Sequence, residues 1–365
     1  MVLSRKKTPN GLVGVDIGSS SVKAVELKER RGGYELENLA LTNLGADTIV
    51  DGAIIDGSSV SSTLATMFEE SKISTPNVAT SVSGRSVIIK RVIVAAGSEE
   101  EMEQAIQQEV MQSLQLDPAV FNLNYYVLGP VHERDSLDWQ ADRYRGVRQM
   151  EVLLLAVERD KLQSHTDVLV QANKTPIVVD VDAFAVQNAF ELSYEPPADQ
   201  TIALLNIGAS LTNINVTRGG VPLFTWDILM GGNQYTDMLQ KELSLTVEEA
   251  EKLKMGVEVA RIQPESELPH LKSVSESLLR EVQKALEIFH EAVADPIHAV
   301  YLAGGTARIR GLADMLRAEL KVPVEIIDPF RKVHFNPGKF DADFIATLAP
   351  RMTVAVGLAL RSFDA

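Results

Sequence analysis

The chain contains no cysteine, which excludes a disulfide framework and thiolate chemistry and fits a reducing compartment. Aromatic residues are only 5% of the total, with two tryptophans, so the core must be largely aliphatic. Positive charge is the minority sign: 35 Lys and Arg stand against 50 Asp and Glu, a formal net charge of -15. Such a field disfavours nucleic acid and anionic lipid as partners. The one local exception, Arg5, Lys6 and Lys7, reads either as a solvated tail or as a small contact patch. No apolar run approaches bilayer-spanning length. The opening MVLSRKKTPNG leads directly into a strand-like segment without a cleavage signature, so a secretory signal peptide is not expected. Membrane contact is therefore expected only through a partner.

Several catalytic signatures are also missing. There is no GxxxxGK[ST] phosphate loop, no strand-linked GxGxxG, no nucleophile elbow and no kinase HRD-type segment. His132, His165, His270, His290, His298 and His334 are scattered without metal-ligand spacing.

What is present is a globular balance, 45% hydrophobic and 23% charged over 365 residues, which predicts two or more packed units. LVGVDIG, a serine-rich turn and VKAVEL read as a β-hairpin, and residues 33–44 continue its sheet. A helix follows from Gly57, burying Val60, Leu64, Met67 and Phe68. Residues 84–173 show a β-α-β-β-α order, including a helix capped at Ser98 with a stripe of Met102, Ile106, Val110 and Leu114. The charged stretch from His132 to Gly146 reads as an exposed excursion. Further on, Tyr194 to Gln200 is a Pro-containing linker, Thr201 to Val216 a second strand-turn-strand, and Leu268 to Val293 a long amphipathic helix. A closing helix is expected near residues 349–361.

The two hairpins are the informative feature. DIGSSSVKAVEL and NIGASLTNINV place small and hydroxyl residues at matching points, which implies two related lobes meeting across a cleft. In the first, a tight turn aims backbone N–H groups outward as a nest for phosphate oxygens. Gly18 permits close approach, Ser19, Ser20 and Ser21 add hydroxyls, Lys23 would face phosphoryl charge, and Asp16 would hold magnesium through its water shell. An ordinary serine-rich loop with a surface lysine fits the same segment. In the second, Asn206, Gly208, Ala209 and Ser210 would embrace the phosphates from the other side, although an amide at 206 supplies no negative charge. Gly304 and Gly305, after AVYLA and before Thr306, would let the backbone approach a base or α-phosphate, or form a mere turn.

This ordered set resembles the actin-like ATPase superfamily, and within its FtsA-like branch the type IV pilus assembly family PilM. DIGSSSVKAVEL matches the first phosphate motif, NIGASLTNINV the second and AVYLAGGTARIRGL the adenosine motif. VVDVDAFAVQNAF and APRMTVAVGLALR match the connecting helices. The resemblance implies an α/β fold of two ribonuclease H-like lobes with an inserted small α+β domain, and ATP with Mg2+ as cofactors. It implies a first lobe of residues 11–83, 174–198 and 345–365 after a basic tail of 1–10. The inserted domain is 84–173, the second lobe 199–230 with 294–344, and the helical lid 231–293.

Asp182 falls where relatives orient the attacking water, or it is simply the N-cap of the helix at Ala183. Glu251 and Lys254 fall at ribose and adenine positions, or form a charge-laced helix face. The implied role is a cytoplasmic ATP-binding scaffold, recruited peripherally to the inner membrane, that holds the cytoplasmic N-terminus of a PilN-like protein. Motor or platform proteins and self-association complete the partner expectations. Asn206 stands where relatives usually carry aspartate, so turnover is expected to be weak or absent. No amphipathic anchor is expected after Arg361, which favours the pilus role over an FtsA-like division scaffold, itself a competing reading. A secretion-platform component and a small-molecule kinase of the same superfamily are the other competing readings.

Overall fold

The computed structural model describes residues 11–95, 99–114, 116–117, 119–130, 149–259, 262 and 268–363. The basic tail, Ser98 and the stretch from His132 to Gly146 lie outside them. Contacts divide the chain into two units, one of Met1–Gly84 with His165–Ala365 and one of Arg85–Ser164.

In chain order the larger unit begins with β1 (Val13–Ile17), β2 (Ser21–Arg30), β3 (Gly33–Asn43), and a small hairpin of β4 (Ile49–Val50) and β5 (Ala53–Ile54). Next come α1 (Gly57–Glu70) and β6 (Asn77–Val82). Asp56 caps α1 by accepting from the Ser59 N–H, and the helix buries Val60, Leu64, Met67 and Phe68 as its periodicity predicts.

The smaller unit contains β7 (Val87–Ala95), α2 (Glu99–Glu109), β8 (Phe121–Pro130) and β9 (Gln149–Glu158). Its antiparallel sheet runs β7-β9-β8. Val92, Val94, Val152 and Leu154 from the sheet pack with Ile106 and Val110. The expected helix to residue 116 is shorter, because α2 passes into a π-helical turn at Val110–Leu114. α3 (Arg159–Gln171) belongs to both units. The break falls between Ser164 and His165, inside the predicted 84–173 segment, because Val168, Leu169 and Ala172 join the core around Val60 and Leu64.

The remainder of the larger unit comprises β10 (Thr175–Val181), α4 (Asp182–Tyr194), β11 (Thr201–Ile207), β12 (Thr212–Arg218), β13 (Val221–Ile228), α5 (Gly232–Leu243) and α6 (Val247–Lys254). Then follow α7 (Leu268–Val293), β14 (Ala299–Ala303), α8 (Leu312–Leu320), β15 (Val324–Ile326), β16 (Val333–His334), α9 (Ala342–Leu348) and α10 (Thr353–Ala359). Two sheets result, β10-β6-β1-β2-β3-β16 and β13-β12-β11-β14-β15. The pairing β1 with β2 and β2 with β3 is antiparallel, whereas β1, β6 and β10 are parallel neighbours. β11, β12, β13, β14 and β15 repeat that order and those directions. The internal repeat read from two hairpins thus extends over five strands of each sheet.

α4 and α10 pack between these sheets. Every residue of α10 is buried, and the helix crosses α4 at backbone contact: a Cβ on Gly357 would lie 1.7 Å from the Ala185 carbonyl oxygen. Gly14 of β1 is equally crowded by α10, its notional Cβ 2.1 Å from the Ala355 carbonyl oxygen. The 18 residues Ala342–Ala359 have a mean hydropathy of 1.3, enough by length and composition to cross a membrane, contrary to the sequence expectation, but 67% of this stretch is buried inside the protein. Its apolarity is that of a core segment, and Pro350 divides it into two short helices.

Candidate functional site

The first hairpin turns at Gly18, whose N–H donates to the Ser21 carbonyl at 3.1 Å. Asp16 and Lys23 face each other across β1 and β2. Lys23 Nζ donates to Asp16 Oδ2 at 2.8 Å, with both side chains about nine-tenths buried. The expected division of labour, lysine toward phosphate and aspartate toward metal, therefore meets a buried ion pair in which the two charges neutralise each other. Ser21 is buried at the start of β2, so only Ser19 and Ser20 occupy the tip.

The second hairpin repeats the geometry, with the Gly208 N–H donating to the Leu211 carbonyl at 2.8 Å. Its tip is clamped to α5: the Gly208 carbonyl accepts from the Gly232 N–H at 2.9 Å and the Ala209 carbonyl from the Asn233 N–H at 2.8 Å. Thr306 Oγ1 also donates to the Gly208 carbonyl at 2.8 Å. In a trans peptide the carbonyl and the following N–H point oppositely. The N–H groups of Ala209 and Ser210 are therefore directed away from α5. Those of Ser19, Ser20, Ala209 and Ser210 have no acceptor among the described residues. Donors of this kind on facing turns suit the oxygens of a phosphate chain. The two turns meet directly, Ser19 Oγ and Ser210 Oγ being 2.6 Å apart.

Gly304 closes the same region. Its φ of +85° and the 2.3 Å that would separate a Cβ from the Ile207 carbonyl oxygen make glycine obligatory there. Gly305 lies against the Arg351 side chain. Lys254 Nζ donates to Glu251, to Thr236 Oγ1 at 2.8 Å and to the Gly232 carbonyl at 3.3 Å. Burial lowers its pKa, with Glu251 opposing. Lys254 is therefore no solvated member of a charge-laced face: it is buried and tied to the residue that clamps Gly208. Glu251 keeps half of its side chain exposed.

Asp182 is the first residue of α4, not its N-cap; Val181 holds that position and no side chain caps the helix. Burial first, and then the charge of Asp16, raise the Asp182 pKa to about 6, while Ser81 and Ser83 pull it down and Asp227 adds a further upward push. The carboxylate is thus close to the first hairpin, and its affinity for a proton is tuned toward neutrality.

Three participants escape sequence reasoning. Arg351 is drawn toward Glu251 and Asp16, with burial lowering its pKa against both carboxylates. Asn213 and Asp227 form a ladder with Asn206 across three adjacent strands. Asn206 Nδ2 donates to Asn213 Oδ1 at 3.1 Å, Asn213 Nδ2 donates to Asp227 Oδ1 at 2.7 Å, and the Gly84 N–H donates to Asp227 Oδ2 at 2.8 Å. The available signal was the alternation of TNINV, which puts Asn213 and Asn215 on one face of a strand, and a lone acid inside the apolar run LFTWDIL.

Gly208, Thr306, Glu251 and Lys254 are hydrogen-bonded to one another through α5. Asp16, Gly18, Ser21 and Lys23 are bonded within the first turn, and Ser19 joins the two groups through Ser210. Ser20 accepts from the Leu44 N–H, and the Ser21 hydroxyl lies 3.5 Å from Arg351 Nη2. No cluster of three or more acidic or imidazole side chains with metal-holding geometry occurs among the described residues. A cation here would depend on water and on ligand oxygens, the usual situation for Mg2+.

A solved PilM-PilN type IV pilus biogenesis complex superposes with a TM-score of 0.85 at 24% identity, covering 99% of this chain and 100% of that one. The ethanolamine utilization protein EutJ of Carboxydothermus hydrogenoformans matches with a TM-score of 0.56 at 16% identity over 97% and 91%. MreB 5 of Spiroplasma citri bound to AMPPNP matches at 0.51 and 14% over 96% and 95%. The fold is that of the actin-like ATPases. With residues 14–363 matched by the model of the type IV pilus assembly protein PilM, it is to this family that the chain belongs.

Proposed function

We propose that the chain is a cytoplasmic, ATP-binding scaffold of the type IV pilus inner-membrane assembly platform that engages the cytoplasmic N-terminus of a PilN-like protein. Family membership and the fold shared with the PilM-PilN complex support this reading. The observation that carries the nucleotide part is the direct meeting of two glycine-turn hairpins at Ser19 and Ser210. In this reading the two sheets are ribonuclease H-like lobes and the smaller unit is an FtsA-type insertion. Recruitment to the membrane is peripheral and runs through the partner.

Turn N–H groups, Ser19, Ser20, Ser210 and Arg351 would hold phosphates, while Gly304, Gly305, Thr306, Glu251 and Lys254 would frame the nucleoside. Asp16 and Asn206 would hold Mg2+ through its water shell, which supplies charge neutralisation for the phosphate chain. Asp16 can do so through Oδ1, the oxygen not bonded to Lys23. Asp182 would orient water, and with an amide at 206 any hydrolysis is slow. Because the phosphates bridge the hairpins, their presence favours the closed arrangement and thereby alters partner affinity. The test titrates purified full-length protein with a PilN-like N-terminal peptide in the presence of Mg-ATP, Mg-ADP or neither. Peptide affinity that differs between these states is expected. Equal affinity in all three overturns the coupling, and no binding of peptide overturns the scaffold role.

A further inference from the structure

The polar ladder Asn206, Asn213 and Asp227 has a direction, and that direction follows from donor and acceptor inventories. An ionised carboxylate only accepts hydrogen bonds. Asp227 Oδ2 is taken by the Gly84 N–H, and Oδ1 must then receive the amide NH2 of Asn213. With its nitrogen committed there, Asn213 turns its carbonyl oxygen toward Asn206. That oxygen accepts only, so Asn206 must donate with its own NH2. The Asn206 carbonyl oxygen is thereby left on the opposite side, beside Gly304, where a Cβ would lie 3.0 Å from it. Strand register holds the residues adjacent: Asn206 pairs Asn213, and Asn213 pairs Asp227. Asn213 is buried, so water cannot readily take over either bond.

We propose that Asp227 is a positioning residue which, acting through Asn213, fixes the Asn206 amide with its oxygen presented to the hydrated divalent cation that accompanies a nucleoside triphosphate. This rests on the nucleotide reading of the site and deepens it. A negative charge absent at position 206 is replaced by one at position 227, two amides away, that dictates polarity instead of binding the ion. Were the amide reversed, its NH2 would face the cation's water shell with donors where acceptors are required.

The proposal predicts a reciprocal pair of substitutions. In Asp227→Asn the new amide satisfies the Gly84 N–H with its oxygen and offers NH2 to Asn213, which must flip. Asn206 must then flip as well. In Asn206→Asp a carboxylate faces the Asn213 oxygen, and flipping Asn213 merely moves the clash to Asp227. In the swap Asn206→Asp with Asp227→Asn, Asn213 flips once and every donor meets an acceptor.

The experiment measures two things on the full chain for wild type, both single variants and the swap. One is unfolding without ligand; the other is ATP affinity in Mg2+ and in EDTA. Expected is a loss of stability in Asn206→Asp that the swap recovers, so that the two substitutions are strongly non-additive. Expected too is that Asp227→Asn loses about tenfold or more of the Mg2+ enhancement of ATP affinity, the usual effect of removing a group that orients a metal's ligand. Its affinity in EDTA should match wild type, and the swap should restore the enhancement. Additive effects on unfolding, or a full Mg2+ enhancement in Asp227→Asn, overturn the proposal while leaving the nucleotide site intact. Should Asp227→Asn fail to fold, the swap decides alone, and a swap without Mg2+ enhancement overturns it. A wild type that binds no ATP under either condition overturns the nucleotide reading itself, and the cation role with it.

Discussion

Asp182 gives the sharpest quantitative test of the site's electrostatics. Its carboxyl is held at a pKa of about 6 against an ordinary value of 3.8 by burial and by the neighbouring Asp16 and Asp227. An acid whose pKa rises on folding binds its proton more tightly in the folded state, so this group favours folding most at low pH. That contribution is complete below pH 3.8, declines as pH rises through about 6, and is flat above. The shift of about two units corresponds to roughly 3 kcal/mol lost between those limits. Asp182→Asn keeps the shape of the side chain while removing the ionisation. The variant should therefore be more stable than wild type at pH 7.5 by roughly 3 kcal/mol, which for a chain of this size is an upward shift of about 4 °C in midpoint. The gain should shrink toward zero as the pH approaches 4. Thermal unfolding followed by circular dichroism at several pH values measures it. A variant equal to or weaker than wild type at pH 7.5, or a gain independent of pH, would refute the reasoning.

Two further outcomes follow from the geometry. Lys23→Met should destabilise by roughly 3 kcal/mol because buried Asp16 loses the cation bonded to it and keeps only the more distant charge of Arg351, whereas Asp16→Asn with Lys23→Met should recover most of it; denaturant unfolding of both single variants and the double variant checks the cycle. Gly304→Ala should cost at least about 2 kcal/mol, since a side chain at that positive φ also collides with the Ile207 carbonyl. Calorimetry measures this loss, and equilibrium dialysis with ATP should show weakened binding alongside it.

The sequence made the fold legible where periodicity and turn chemistry agree. The helix burying Val60, Leu64, Met67 and Phe68 and the long helix Leu268–Val293 are found where they were expected. The third strand of the second sheet, Val221–Ile228, was not read, because Pro222 interrupts it and its partly buried residues do not alternate cleanly. The closing helix proved to be a short α-helix flanked by 3-10 turns, with another helix, Ala342–Leu348, before it. At the candidate site the turn residues announced themselves through glycine and serine spacing. The pairing of Lys23 with Asp16, the burial of Lys254, and the ladder from Asn206 to Asp227 did not. Each is a relation between side chains set by register or by a fold-back of the chain; the sequence marks single members, such as the lone acid in LFTWDIL, without showing what they pair with.

The crossing of α4 over α10 at Ala185 and Gly357 has a mechanical consequence. With a carbonyl resting against a bare α-carbon, there is no side chain to compress, so sliding either helix drives backbone into backbone. Pivoting about that point changes the separation little. The crossing therefore resists sliding of α4 against α10 far more than rotation about the contact.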